Sequence, residues 1–219
     1  MEHDGMRSPR LYVYKLTADN GGAPCIKNGL LSLAICKPQV RRTAKPGDWI
    51  FGFGGKPLKG RLIYIARVTK CVKEGRYYTV DREDTYNFKE RADRIYRYEN
   101  GEYKLRRGAK YHSDGNHVER DLGKDYSNAV TLLSDNFRYW GKRGKSDYRK
   151  RFGEVAEVLD RLTQGHRVNL SERVVSQLLA LQRSQWEAYP NRMVLGSPSE
   201  SDCSKPCADS EGNVVSREV

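Results

Sequence analysis

The chain has 219 residues, 31% of them charged, and its 40 Lys and Arg against 28 Asp and Glu leave a formal charge of +12. No apolar run approaches the length of a membrane span and the first ten residues lack a signal-peptide core, so a membrane-embedded or secreted protein is not expected and the expected compartment is the cytoplasm. The basic excess favours a polyanionic partner such as nucleic acid, and it is uneven: from Ser197 onward five acidic residues face two basic ones, a net of −3, so residues 1–196 carry +15.

In chain order, residues 11–16 (LYVYKL) read as a strand with apolar residues on both faces, as an interior strand of a barrel or sandwich has. TADNGGAP follows as a loop. Residues 30–36 are either a strand or a short buried helical turn, ended by Lys37-Pro38 because the residue before proline is pushed away from the helical region. A basic segment, 39–45, leads to the Pro46-Gly47 turn. Residues 49–53 and 62–68 supply the aromatic and β-branched content of two strands. The glycine loop between them, GFGGK, fails the phosphate-loop pattern, since no Ser or Thr follows Lys56 and the glycine spacing is wrong.

Residues 76–80 read as a further strand and 81–93 as a polar excursion. Residues 94–106 form a hairpin around Asn100-Gly101, a type I′ turn signal. Residues 108–128 have the composition of a functional loop, 129–134 resume the sheet, and 136–141 are rich in aromatics. Helical spacing then appears in Phe152, Val155, Ala156, Leu159 and Leu162, and again after Ser171, a helix cap, through Trp186. The acidic stretch from 197 lacks the apolar content to order itself. Five scattered cysteines, Cys25, Cys36, Cys71, Cys203 and Cys207, carry no metal spacing and are expected to be reduced.

The stretch NGLLSLAICKPQVRRTAKPGDWIFGFGG, with the later LLSDNFRYWG, resembles the nucleotide-modification-associated domain of the second type, found near DNA-modification and restriction genes in bacteria and phages. The Gly-Asp turn, aromatic strand and glycine-then-strand return are also distantly similar to the PUA-like group that includes EVE, YTH and ASCH domains. That likeness implies an α+β fold with a partly open PUA-like β-barrel and flanking helices, and recognition of a modified base in an aromatic-lined pocket. The corresponding division is a domain over 1–148, a helical extension over 149–196 and an unordered acidic tail over 197–219.

A flipped-out base needs flat surfaces to stack on, polar groups to read its edge and cations for the flanking phosphates. Trp49, Phe51, Phe53, Tyr139 and Trp140 are candidates for the first, Asn20, Asp48 and Asp135 for the second, and Lys37, Arg41, Arg42 and Lys45 for the third. Each has a competing structural role: alternation puts Trp49, Phe51 and Phe53 on one strand face that could be interior, and Asp48 suits a turn. The reading is non-catalytic recognition of a nucleotide or nucleic acid, with no cofactor, no metal and no catalytic residue assigned. One alternative is a nucleotide-processing enzyme using His112, His117, Glu119, Asp121 and Asp125. A second is a protein-binding subunit using the C-terminal helices.

Overall fold

A computed structural model of the chain describes residues 7–112, 117–163 and 165–199. The fold is α+β. In order it runs β1 (Leu11–Leu16), β2 (Cys25–Lys27), β3 (Leu30–Leu33), α1 (Pro38–Thr43), β4 (Trp49–Gly54), β5 (Leu62–Arg67), β6 (Lys70–Val72) and α2 (Arg76–Thr79). There follow β7 (Arg82–Glu83), β8 (Tyr86–Asn87), β9 (Tyr96–Glu99), β10 (Glu102–Leu105), α3 (Val118–Leu122), β11 (Thr131–Ser134), β12 (Asn136–Tyr139), α4 (Tyr148–Arg151), α5 (Gly153–Arg161), β13 (His166–Arg167) and α6 (Glu172–Ala188).

Two larger sheets carry the molecule, one ordered β12-β5-β4-β1-β13 and the other β2-β3-β11-β6. Strands β1 and β4 run parallel, and the chain between them supplies β2 and β3 to the second sheet before it returns. Neither sheet closes into a barrel among the described residues. Strand alternation sorts the side chains into layers. Tyr12, Tyr14, Leu16, Ile50, Tyr64 and Phe137 meet Leu31, Leu33 and Leu132 between the sheets. From the other face of the first sheet, Val13, Phe51, Phe53 and Ile65 pack against Tyr148, Phe152, Val155, Leu159, Val174, Leu178 and Leu181 of the C-terminal helices. A third core lies outside the second sheet, around Tyr77, Tyr78, Phe88, Tyr96 and Leu133.

The Asn100-Gly101 turn has φ of 54° and 85°, and it joins β9 to β10 in the expected hairpin. Ser171 caps α6, its Oγ accepting from the Val174 amide at 3.4 Å. Residues 76–80 are a correction: they form the short helix α2 instead of a strand. Gly75, with φ of 65°, starts that turn, and both Tyr77 and Tyr78 are buried in one core, which a strand would have divided between two faces. The basic segment after Lys37 is likewise helical, since Pro38 fits the first helical turn of α1.

Cys25 and Cys71 are free thiols. Cys36, expected to be reduced, is disulfide-bonded. Cys203, Cys207 and the rest of the tail from 200 lie outside the described residues. Its first residues are packed: Ser197 O accepts from the Lys142 amide at 2.9 Å, and the Ser199 amide and hydroxyl both donate to Asp19 at 2.9 Å. No helix among the described residues is long and apolar enough to cross a membrane.

Candidate nucleic-acid interface

A groove of about 370 Å³ opens between the segment that follows β12 and the C-terminal half of α6. Ligand sites typically fall between roughly 300 and 1,000 Å³, so the space suits a nucleotide-sized group. Its floor is Leu62, Trp140, Tyr148, Phe152 and Leu181, and Tyr189 forms one wall, edge-on to Trp140 with ring centroids 6.4 Å apart. Ser184 and Gln185 on α6 place polar groups beside this apolar bed. Arg143, Lys145, Lys150 and Arg151 stand exposed around it, with Asp147 as the one carboxylate in the lining.

Among the described residues none of these four cations is in an ion pair. Arg143 donates to the Leu195 carbonyl at 3.3 Å, and Arg151 lies over the Phe152 ring at 5.5 Å. Cations without ion-pair partners beside the half-buried Tyr189 ring and the edge of Trp140 are the kind of electrostatic and stacking combination that single-stranded nucleic acid uses. The rim is built from close backbone approaches. A Cβ on Gly144 would stand 2.1 Å from the Leu62 carbonyl oxygen, and one on Gly196 would stand 2.0 Å from that of Trp140. Arg138 ties the far end of α6 to β12, donating to the carbonyls of Tyr189 at 2.7 Å and Pro190 at 2.9 Å.

Of the residues singled out by sequence, Trp140 alone lines this groove. Phe51 and Phe53 are fully buried between β4 and the helices and present no face for stacking. Trp49, half-buried, packs edge-on against Trp186 at 5.4 Å. Tyr139 is buried with its hydroxyl donating to Asp19 at 2.8 Å. Asp48 is buried in its turn, accepting from the Lys45 amide at 2.9 Å, the Arg10 amide at 2.8 Å and the Arg7 guanidinium at 2.7 Å. Asn20 accepts from the Gly22 amide at 3.1 Å, shaping its own loop. Asp135 sits at a different cleft, accepting from the Tyr86 hydroxyl at 3.1 Å.

The four predicted cations separate. Arg42 and Lys45 are exposed outside the groove. Arg41 is wholly buried, its guanidinium donating to the carbonyls of Cys36 (2.7 Å), Asn128 (2.8 Å), Val130 (2.6 Å) and Asp121 (2.5 Å), so it cannot meet a phosphate. Lys37 is half-buried over the Tyr14 ring, 5.1 Å from its centroid, and no carboxylate or hydrogen-bond acceptor pairs with it among the described residues. Burial brings its ammonium down to about 8.

Beside Arg41, Asp121 is buried and accepts from the Cys36 amide at 2.9 Å and the Tyr96 hydroxyl at 2.8 Å, with His112 Nδ1 at 2.9 Å. Burial pushes this carboxyl up, but the hydrogen bond and charge of His112, then Arg41 and Tyr96, outweigh it and leave it below the usual range. A depressed carboxyl stabilises the fold above its unfolded value, about 3.9, and that contribution fades as pH falls through the folded value. Denaturant stability is therefore expected to drop as pH is lowered below about 4, and Asp121→Asn to flatten that slope while lowering the neutral-pH plateau. No group of three or more His, Cys, Asp and Glu side chains among the described residues is placed to hold a metal ion.

Sequence reasoning missed Arg143, Lys145, Lys150 and Arg151 although the signal was present. Residues 138–151, RYWGKRGKSDYRKR, hold seven basic residues and one acidic. The family model described as nucleotide modification associated domain 2 matches residues 8–203, a span that contains both sheets and the whole groove lining. No curated protein and no solved structure matches.

Proposed function

We propose, for a chain that belongs to the nucleotide modification associated domain 2 family, that it recognises a nucleotide or nucleic acid carrying a modified base, with the groove between Trp140 and α6 as the binding surface. The observation that carries this reading is the ring of four cations that have no ion-pair partner among the described residues, set around an aromatic floor. On this view the phosphates meet Arg143, Lys145, Lys150 and Arg151, a base lies against Tyr189 and the edge of Trp140, and Ser184 and Gln185 meet its polar edge. The groove needs no catalytic group for that task. The paired sheets would then correspond to the partly open barrel of the PUA-like group, and the setting would be cytoplasmic DNA modification or defence.

The test is a binding screen of modified and unmodified oligonucleotides and mononucleotides at two salt concentrations, run on the parent chain and on Tyr189→Ala. Loss of one stacking partner costs about 1–3 kcal/mol, so affinity is expected to fall roughly 5- to 150-fold while the salt slope stays unchanged. Equal affinity for the two proteins would remove the groove from the site. The apolar stripe of α6, Val174, Leu178 and Leu181, is buried in the core.

A further inference from the structure

Away from the groove, three chain reversals converge on a second cleft, of about 380 Å³. The first is Asn28-Gly29, with φ of 51° and 71°, the two-residue turn between β2 and β3. The second is Asp84-Thr85, between β7 and β8. The third is Asp135, the single residue at which the chain passes from β11 in the second sheet to β12 in the first. The volume falls in the range of a small-molecule site, and most of the lining is polar: Lys27, Asn28, Thr85, Tyr86, Asn87 and Asp135.

The Asp135 carboxylate is held from two directions. Its Oδ2 accepts from the Tyr86 hydroxyl at 3.1 Å, and the Asp135 amide donates to Thr69 Oγ1 at 3.3 Å. Among the described residues Oδ1 has no hydrogen-bond partner and the carboxylate no ion-pair partner. Asn87 Oδ1 accepts from the Lys89 amide at 2.9 Å, which leaves its NH2 group to donate elsewhere. The Lys27 ammonium donates to the Glu90 carbonyl at 2.8 Å and stands 3.5 Å from the Glu90 carboxylate, so the cleft holds no surplus positive charge for a phosphate. A cationic guest is disfavoured too, because the Lys70 ammonium already lies over the Tyr86 ring, 5.9 Å from its centroid. What remains is a neutral ring that brings N–H donors to a carboxylate and an acceptor to an amide.

We propose that this cleft binds a guanine base, with Asp135 accepting from N1–H and the 2-amino group and the Asn87 amide donating to O6. Among the four DNA bases guanine alone presents two adjacent N–H donors on its Watson–Crick edge, followed by an acceptor. A carboxylate is the acceptor that meets such a donor pair with two parallel hydrogen bonds. An unstacked base exposes that edge, and the Tyr86 ring supplies the flat surface beside it. Tyr86 also acts as a positioning residue, since its hydroxyl fixes the direction of the carboxylate. The cleft is a second site and not part of the groove: Asp135 and Trp140 flank β12, five residues or roughly 17 Å apart along a strand, so either site can fail alone.

The full-length chain is titrated with guanosine, inosine, adenosine and methylguanidinium by calorimetry, none of which carries a phosphate for the cations of the groove. Guanosine is expected to bind, and inosine, which lacks the 2-amino donor, to bind roughly 10- to 150-fold more weakly. Tyr189→Ala is expected to bind guanosine as the parent does, which separates this site from the groove. Asp135→Asn keeps an acceptor for the Tyr86 hydroxyl but exchanges the other acceptor for a donor. It is expected to lose at least about tenfold in guanosine affinity and to gain xanthosine, whose C2 carbonyl accepts from the new amide. A damaged turn lowers binding of every nucleoside and does not exchange one base for another. Guanosine and inosine bound alike, guanosine affinity kept in Asp135→Asn, or no saturable guanosine binding up to about 1 mM would each overturn the proposal. So would methylguanidinium bound in place of guanosine, which marks a site for arginine side chains.

Discussion

Lys145→Glu, Lys150→Glu and Arg151→Glu, combined in one chain, are expected to lower affinity for a short single-stranded oligonucleotide by more than about a hundredfold at low salt. The three side chains are exposed, line one groove and have no carboxylate partner among the described residues, so the reversal disturbs no internal ion pair. Each phosphate contact on a single strand contributes roughly 0.7 to the slope of log affinity against log salt, so losing three shallows it by about 2. Isothermal titration or fluorescence anisotropy over a salt series measures both quantities. Arg42→Glu serves as the contrast, since it makes the same charge change at an exposed position outside the groove and is expected to leave the slope unaltered. A slope that responds to Arg42 and not to the triple variant would place the phosphates on the α1 face.

Arg41→Met is expected to cost about 3–5 kcal/mol of stability, the range for removing one member of a buried charged network. The guanidinium satisfies four carbonyl oxygens that have come together from 36, 121, 128 and 130, and its removal leaves those acceptors short while Asp121 keeps its charge. Arg41→Lys is expected to recover little, because one ammonium cannot reproduce a planar fork spread over four acceptors. Chemical denaturation reads the loss directly. A Met variant within about 1 kcal/mol of the parent would show that the cluster carries little of the fold's stability.

The contrast between these two sets of arginines and lysines shows what could be read from the chain. Charge density was visible at 41–45 and at 138–151 alike, but burial was not, and it is burial that makes Arg41 a clamp and leaves Lys150 exposed at the groove. The strands β1, β4 and β5, the β9–β10 hairpin and the helices α5 and α6 were legible, because alternation, a two-residue turn with positive φ and helical spacing all act over neighbouring positions. The short helices α1 and α2, of six and four residues, are too brief for a period to show. Phe51 and Phe53 looked equally suited to a core or a pocket, and the choice was made by α5 and α6, about a hundred residues further along. Asn28, Asn87 and Asp135 line one cleft from three distant parts of the chain, and no local pattern links them.

The wall of the groove is also a structural beam. The same α6 that offers Ser184, Gln185 and Ala188 to the open side seals Phe51 and Phe53 with Val174, Leu178 and Leu181 on its inner side. Any guest too wide for the gap would have to lever that helix off the sheet and wet an aromatic interior. On the proposed reading, discrimination by size would come from the protein's resistance to local unfolding, with guests meeting a fixed gauge in place of a surface that moulds itself around them.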